Sequence, residues 1–151
     1  MPQKQTAEVW QNFSPLGPCI CSQLRRTTRK VSSLYDQALA VTGLTITQYA
    51  LLINIGRAGE IGRSALAVRL GMDRTTLTRN LKPLERDRLI TTAESEDRRE
   101  RLLCLSSEGR RKLRQSYPLW EKAQKEFASQ IGFSTLQALR SDLEAAEKAV
   151  G

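Results

Sequence analysis

The stretch from Ile61 to Gly109 constrains the fold more than any other part of the chain. Residues 63–70 place Leu66 and Leu70 four apart, as a short helix buried on one side requires, and Gly71 supplies the left-handed conformation of a sharp turn. Asp73 is a good N-cap for a second helix in which Leu77, Leu81 and Leu84 form a buried stripe. Arg74, Thr75, Thr76, Thr78, Arg79 and Lys82 are left on the other side. Pro83 lies inside this helix and predicts a bend behind those residues, with the helix ending near Asp87. Leu89 to Ala93 and Arg101 to Leu105 then read as the strands of a hairpin whose connection, ESEDRRE, is charged. Helix, tight turn, helix and hairpin make a winged helix-turn-helix. Hydroxyls and guanidinium groups on the second helix suit a DNA major groove, and Arg98 and Arg99 at the hairpin tip suit an adjacent backbone or minor groove.

Bulk properties fit double-stranded DNA as a partner. The formal net charge is +8 over 151 residues, which favours a polyanion through counterion release. Charge alone leaves an anionic membrane open, but no apolar run approaches the roughly 20 residues of a membrane helix. The first residues, MPQKQTAEVWQNF, also lack the apolar core of a signal peptide, so no membrane association and a cytoplasmic location are expected. Histidine is absent, which removes the commonest general base and metal ligand. There is no glycine-rich phosphate loop and no convergent carboxylate pair, so the sequence predicts neither an enzyme, nor a cofactor, nor a metal site. Three cysteines, Cys19, Cys21 and Cys104, are an odd number, and a disulfide framework is not expected.

The flanks read as helices. Residues 1–14 form a polar arm with Trp10 and Phe13 as its large apolar groups. Ile20, Leu24, Thr27, Val31, Leu34 and Ala38 recur at spacings of three and four, predicting a long amphipathic helix over about 18–41. Its other face carries Arg25, Arg26, Arg29 and Lys30, for which a solvated face and phosphate contact are equally good readings. Thr45 and Gln48 have capping-box spacing and open a helix through Tyr49, Leu52 and Ile53, after which Ile61 could form a one-residue strand bridge. Ser106 or Ser107 caps a long helix past Trp120 and Phe127, with a kink expected at Pro118 and a stop at Gly132. Ser134 and Gln137 predict another capping box, opening a last helix with Leu136, Leu139, Leu143 and Ala146 along one side. The expected architecture is mainly α with a small β-hairpin wing. A dimerisation segment (1–44), a winged helix-turn-helix (45–106) and C-terminal dimerisation helices (107–151) make one intertwined domain. The terminal apolar stripes exceed what one small winged domain can bury, so a partner chain is the simplest place for them to go.

The strings GLTITQYALL, LAVRLGMDRTTLTRNLKPLERDRLI and DRRERLLCLSSEG resemble the MarR family of bacterial transcription regulators, over about residues 18–149. The resemblance implies dimers whose terminal helices interlock while two winged domains straddle a pseudo-palindromic site. It places Arg99 in the minor groove as the D-x-R arginine, with Arg98 on a neighbouring phosphate. Asp97, which DNA would repel, is expected to brace the wing tip by pairing with an arginine. The family's ligand pocket lies between the dimerisation helices and the DNA-binding domain. Leu24, Tyr49 and Ile53 are candidate walls, and equally fit an ordinary core.

Cys19 and Cys21 lie at the start of the first helix, where free amides, the helix dipole and nearby Arg25 and Arg26 lower a thiol pKa. A cysteine there, with the tyrosine of the TQY string, resembles the organic-hydroperoxide-sensing branch of the family. The C-x-C pair and a threonine in place of a second tyrosine depart from that branch. Residues two apart on a helix point about 200° from each other, so the pair is poorly placed to chelate one ion or to join in a disulfide. Cys21 lies on the side of Leu24 and also fits a buried dimer interface, whereas Cys104 should face outward if Leu103 and Leu105 face in. The leading expectation is a sequence-specific homodimeric repressor released by a small molecule or by thiol oxidation. The alternative is an architectural protein that coats DNA without sequence preference.

Overall fold

The computed structural model describes residues 17–94 and 101–151. The chain falls into two compact units, residues 1–34 and 35–151. In the first, helix α1 begins at Ile20, two residues later than expected, and runs on to Leu39. Residues 20–30 are exposed all round, Ile20 and Leu24 included at 63% and 42%. The apolar stripe read from the sequence therefore carries apolar surface that this single chain leaves open.

In the second unit, Tyr35 and Leu39 at the end of α1 are buried, and the Tyr35 hydroxyl donates to Gln124 Oε1 at 2.6 Å. A single 3-10 turn, Ala40–Thr42, leads to helix α2, Ile46–Ala58. The capping box at its start is formed in full. Thr45 Oγ1 accepts from the Gln48 amide, and Gln48 Oε1 accepts from the Thr45 amide. Asp36 Oδ1 accepts from the next free amide, Ile46, at 2.6 Å, and Lys112 Nζ donates to the Thr42 carbonyl at 2.8 Å. The connection into α2 is thus satisfied at both ends, as a partly buried backbone requires.

Strand β1, Glu60–Gly62, helix α3, Arg63–Arg69, helix α4, Arg74–Arg86, and strands β2, Ile90–Glu94, and β3, Arg101–Leu105, follow in order. Ile61 does more than form a one-residue bridge. Glu60, Ile61 and Gly62 pair antiparallel with Cys104, Leu103 and Leu102, which makes a three-stranded sheet of order β1-β3-β2. The pairing partner lies some forty residues ahead, out of reach of a local reading. Leu103 and Leu105 face the core, and Cys104 between them is half-buried on the other side, as alternation along a strand demands.

The core of this unit is Leu51, Leu52 and Ile55 of α2, Leu66 of α3, Leu77, Leu81 and Leu84 of α4, and Ile61, Ile90, Leu103 and Leu105 of the sheet. Ser106 caps helix α5, Ser107–Ile131, accepting from the Gly109 amide at 2.9 Å, and Gly132 ends it. The last helix, α6, Phe133–Val150, departs from the sequence reading. It starts directly after Gly132 with no side-chain cap, so Ser134 and Gln137 lie inside its first turns and form no capping box. Its stripe is open too. Leu136 is buried and Leu139 half-buried, while Leu143 is 41% and Phe133 73% exposed. Among the described residues no single helix is long and apolar enough to cross a membrane.

Arg88, between α4 and β2, has φ +55°, a left-handed conformation that costs a side-chain-bearing residue about 1–2 kcal/mol. Glycine gives back part of that through its greater unfolded-state freedom. Arg88→Gly is expected to stabilise the protein by about 0.5–1 kcal/mol, read as a higher urea midpoint with an unchanged slope. A lower midpoint would mean that the arginine side chain contributes more than its backbone costs.

Candidate nucleic-acid interface

Helices α3 and α4 are joined by a tight turn in which the Gly71 amide donates to the Val68 carbonyl and the Met72 amide to Ala67, with Gly71 at φ +59°. This is the left-handed position read from the sequence. Arg63, at the start of α3, pairs with Glu85 near the end of α4 at 2.6 Å, a link with no local sequence signature. Between them the turn and the ion pair fix how α4 is presented.

Asp73 caps α4 as expected. Its Oδ1 accepts from the Thr76 amide at 2.8 Å, and its Oδ2 accepts from the Thr76 hydroxyl at 2.6 Å. The Thr76 hydroxyl, followed by the Thr76 amide, holds the Asp73 carboxyl below the ordinary carboxylate range. A carboxylate whose folded pKa is lowered contributes stability above its unfolded pKa and loses it as pH falls through the folded value. Acidification is therefore expected to fray the start of α4. Amide exchange at Thr76 should accelerate below the ordinary aspartate pKa and become nearly pH-indifferent in Asp73→Asn once intrinsic exchange is factored out; protection unchanged through acid would remove the charged cap from the account.

Around α4 the side chains divide by chemistry. Leu77, Leu81 and Leu84 are at most 2% exposed. Arg74, Thr75, Thr78, Arg79 and Lys82 line an open depression of about 410 Å³ on the outer surface. Thr76 is half-buried and turned to Asp73, and the Thr78 hydroxyl donates to the Arg74 carbonyl at 2.8 Å. Arg86 pairs with Asp87. Arg74, Arg79 and Lys82 have no carboxylate partner among the described residues. The structure thus gathers five of the six helix residues singled out in the sequence onto one open, basic surface and turns Thr76 aside. The wing strands β2 and β3 lead toward the hairpin tip, and Asp97, Arg98 and Arg99 lie outside the described residues.

The other candidates lie apart from this surface. Cys19 and Cys21 are exposed in the first unit. Hydrogen bonds from Ser22, backbone first and then side chain, lower the Cys19 thiol pKa. Burial, reinforced by Glu60 across the strand pair, raises that of Cys104. Leu24 is exposed in the first unit. In the second unit, Ile53 is half-buried on α2, and Tyr49 is buried with its ring stacked on Trp120 at 5.7 Å between centroids. Tyr117 tilts against the same indole at 5.9 Å and is 46% exposed. Burial raises the Tyr49 phenol pKa, and Tyr117 adds to the effect. Neither Trp120 nor Tyr117 stood out in the sequence as part of a site, because the packing of α5 on α2 that brings Trp120 to Tyr49 is tertiary.

A tight-turned helix pair, a three-stranded sheet and an outward basic helix define a winged helix-turn-helix protein of mainly α architecture. The MarR family model matches residues 42–100. The structure of the M. tuberculosis transcriptional regulator MosR in complex with DNA is 35% identical, covers 89% of this chain and 100% of that one, and superposes with a TM-score of 0.76. The chain belongs to the MarR family of transcriptional regulators, and not to a family of enzymes. A cysteine-to-serine variant of E. coli MarR complexed with operator DNA shares the fold at 21% identity and a TM-score of 0.77, over 84% of this chain and 92% of that one. The HTH-type transcriptional regulator YwoH of Bacillus subtilis is 26% identical over 90 residues, 60% of this chain and 66% of that protein.

Proposed function

We propose that this protein is a homodimeric, sequence-specific DNA-binding repressor that leaves a pseudo-palindromic operator when a small molecule or thiol oxidation changes the disposition of its winged domains. The observation that carries this reading is the composition of α4. One side is sealed in the core, while Arg74, Thr75, Thr78, Arg79 and Lys82 stand outward, their three cations without carboxylate partners among the described residues. Such a surface supplies hydrogen bonds to base edges and charge to phosphates. In this proposal Arg99 has the role of a minor-groove contact, Arg98 that of a phosphate contact and Asp97 that of a brace for the wing.

Residues 45–106 act as the DNA-binding region in this proposal, with 1–44 and 107–151 as dimerisation segments. The exposed apolar side chains Ile20 and Leu24 of the first unit, and separately Phe133 and Leu143 of the second, supply apolar surface for a second copy to cover. For release, the exposed Cys19 thiol with its lowered pKa is the group suited to oxidation, with Cys21 beside it, and Tyr49 and Ile53 are the walls proposed for a small-molecule inducer. Mild organic hydroperoxide is expected to weaken operator binding by the reduced protein, thiol to restore it, and Cys19→Ser to abolish the response. Oxidant-indifferent binding would eliminate the thiol route and leave the small-molecule one.

A further inference from the structure

The two arms of the Asp73 carboxylate separate the threonines of α4 into different jobs. With about 100° per residue, the line opposite the Leu77, Leu81 and Leu84 stripe passes through Thr75, Arg79 and Lys82. Arg86 continues that line but is engaged by Asp87. Thr76 is off it, half-buried, with its hydroxyl hydrogen given to Asp73 Oδ2 at 2.6 Å. Thr78 is also off it and has given its hydroxyl hydrogen to the Arg74 carbonyl. Of the five polar side chains of the first two turns that a sequence reading would treat alike, Arg74 lies well off the line at the helix start, and only Arg79 and Thr75 both face straight outward and keep their donors free among the described residues.

We infer that Arg79 is the guanine-reading residue of α4 and that Thr75, not Thr76, is its partner on a neighbouring base. This rests on the proposed DNA-binding function and adds to it the base class that the operator must contain. A planar guanidinium with its donors unspent matches the O6 and N7 acceptors of guanine in a bidentate pair, which no other base offers on its major-groove edge. The Thr75 hydroxyl donates or accepts, and its methyl packs on a thymine methyl. Lys82, a flexible point charge one turn on, serves a phosphate, as does Arg74, which leaves the start of the helix well to the side of that line. The Asp73–Thr76 pair positions the helix start without touching bases.

The test is selection of bound duplexes from a library with a randomised core, using the full-length protein and its Arg79→Ala, Arg79→Lys, Thr75→Val and Thr76→Val variants, with helicity checked for each. Wild type is expected to enrich a guanine at one fixed position in each half-site. Arg79→Ala should lose that preference and bind the best site about 5- to 150-fold more weakly. Arg79→Lys should keep its affinity for scrambled DNA while losing the guanine preference, because it retains charge without the fork. Thr75→Val should change the preference at a neighbouring position, and Thr76→Val should leave the profile as in wild type. Enrichment that survives Arg79→Ala, or a profile that responds to Thr76→Val and not to Thr75→Val, overturns the assignment while leaving a DNA-binding regulator intact. No enrichment by wild type overturns both.

Discussion

Gly109→Ala is expected to cost on the order of 3 kcal/mol or more, and to leave the protein partly unfolded at ambient temperature. Gly109 sits in the first turn of α5, where its amide donates to the capping Ser106 hydroxyl. A Cβ there would stand 1.9 Å from the Leu89 carbonyl oxygen and 2.9 Å from its carbon, both rigid backbone. The same carbonyl accepts from the Ser106 amide at 3.1 Å, and the Ser106 hydroxyl donates to the Arg88 carbonyl at 2.7 Å. The start of α5 is therefore bonded to the chain entering β2, and neither side can retreat without giving up those bonds and the burial of Leu89 and Ile90. Urea unfolding monitored through helicity checks this, with the exposed Arg110→Ala next to it as control. A Gly109→Ala variant as stable as wild type would mean that α5 is free to move off the sheet, and with it the linkage between the winged core and the C-terminal helices.

The second large effect is at Leu81. It is fully buried at the middle of the α4 stripe, amid the core cluster that joins the helix to α2, α3 and the sheet. Leu81→Ala removes three heavy atoms from that cluster, and the cavity left behind brings the expected loss to about 2–5 kcal/mol. The outer residues of α4 keep their chemistry but lose the rigid base that presents them, so DNA affinity should fall although no outward side chain has changed. Paired unfolding and binding titrations read both effects. Full stability in Leu81→Ala would contradict the buried stripe itself.

What the sequence made legible follows from where each signal is written. The capping box at Thr45, the cap at Asp73, the turn at Gly71 and the stripe of Leu77, Leu81 and Leu84 are each encoded within at most eight residues, and each appears in the structure. Features that depend on distant partners were not legible. Strand β1 exists because β3 pairs with it, and the Arg63–Glu85 and Lys112–Thr42 links join residues 22 and 70 positions apart. The last helix shows the opposite failure. Ser134 and Gln137 have the spacing of a capping box, but Gly132 already starts the helix before them, so the local motif is overridden by its neighbour. At the candidate site, residue types identified the outward face of α4. Only the hydrogen bonds of Asp73 and Arg74 separated Thr75 from Thr76 and Thr78.

The most direct test of a sequence-specific regulator is the affinity of the reduced, full-length protein for the duplex upstream of its own gene, set against a scrambled duplex of equal length across a salt series. The upstream duplex is expected to be preferred by at least about 10³-fold at physiological salt, with log affinity falling linearly as log salt rises for both duplexes. Equal affinity for the two duplexes at every salt concentration would contradict it, and would leave α4 as a basic surface that coats DNA without reading it.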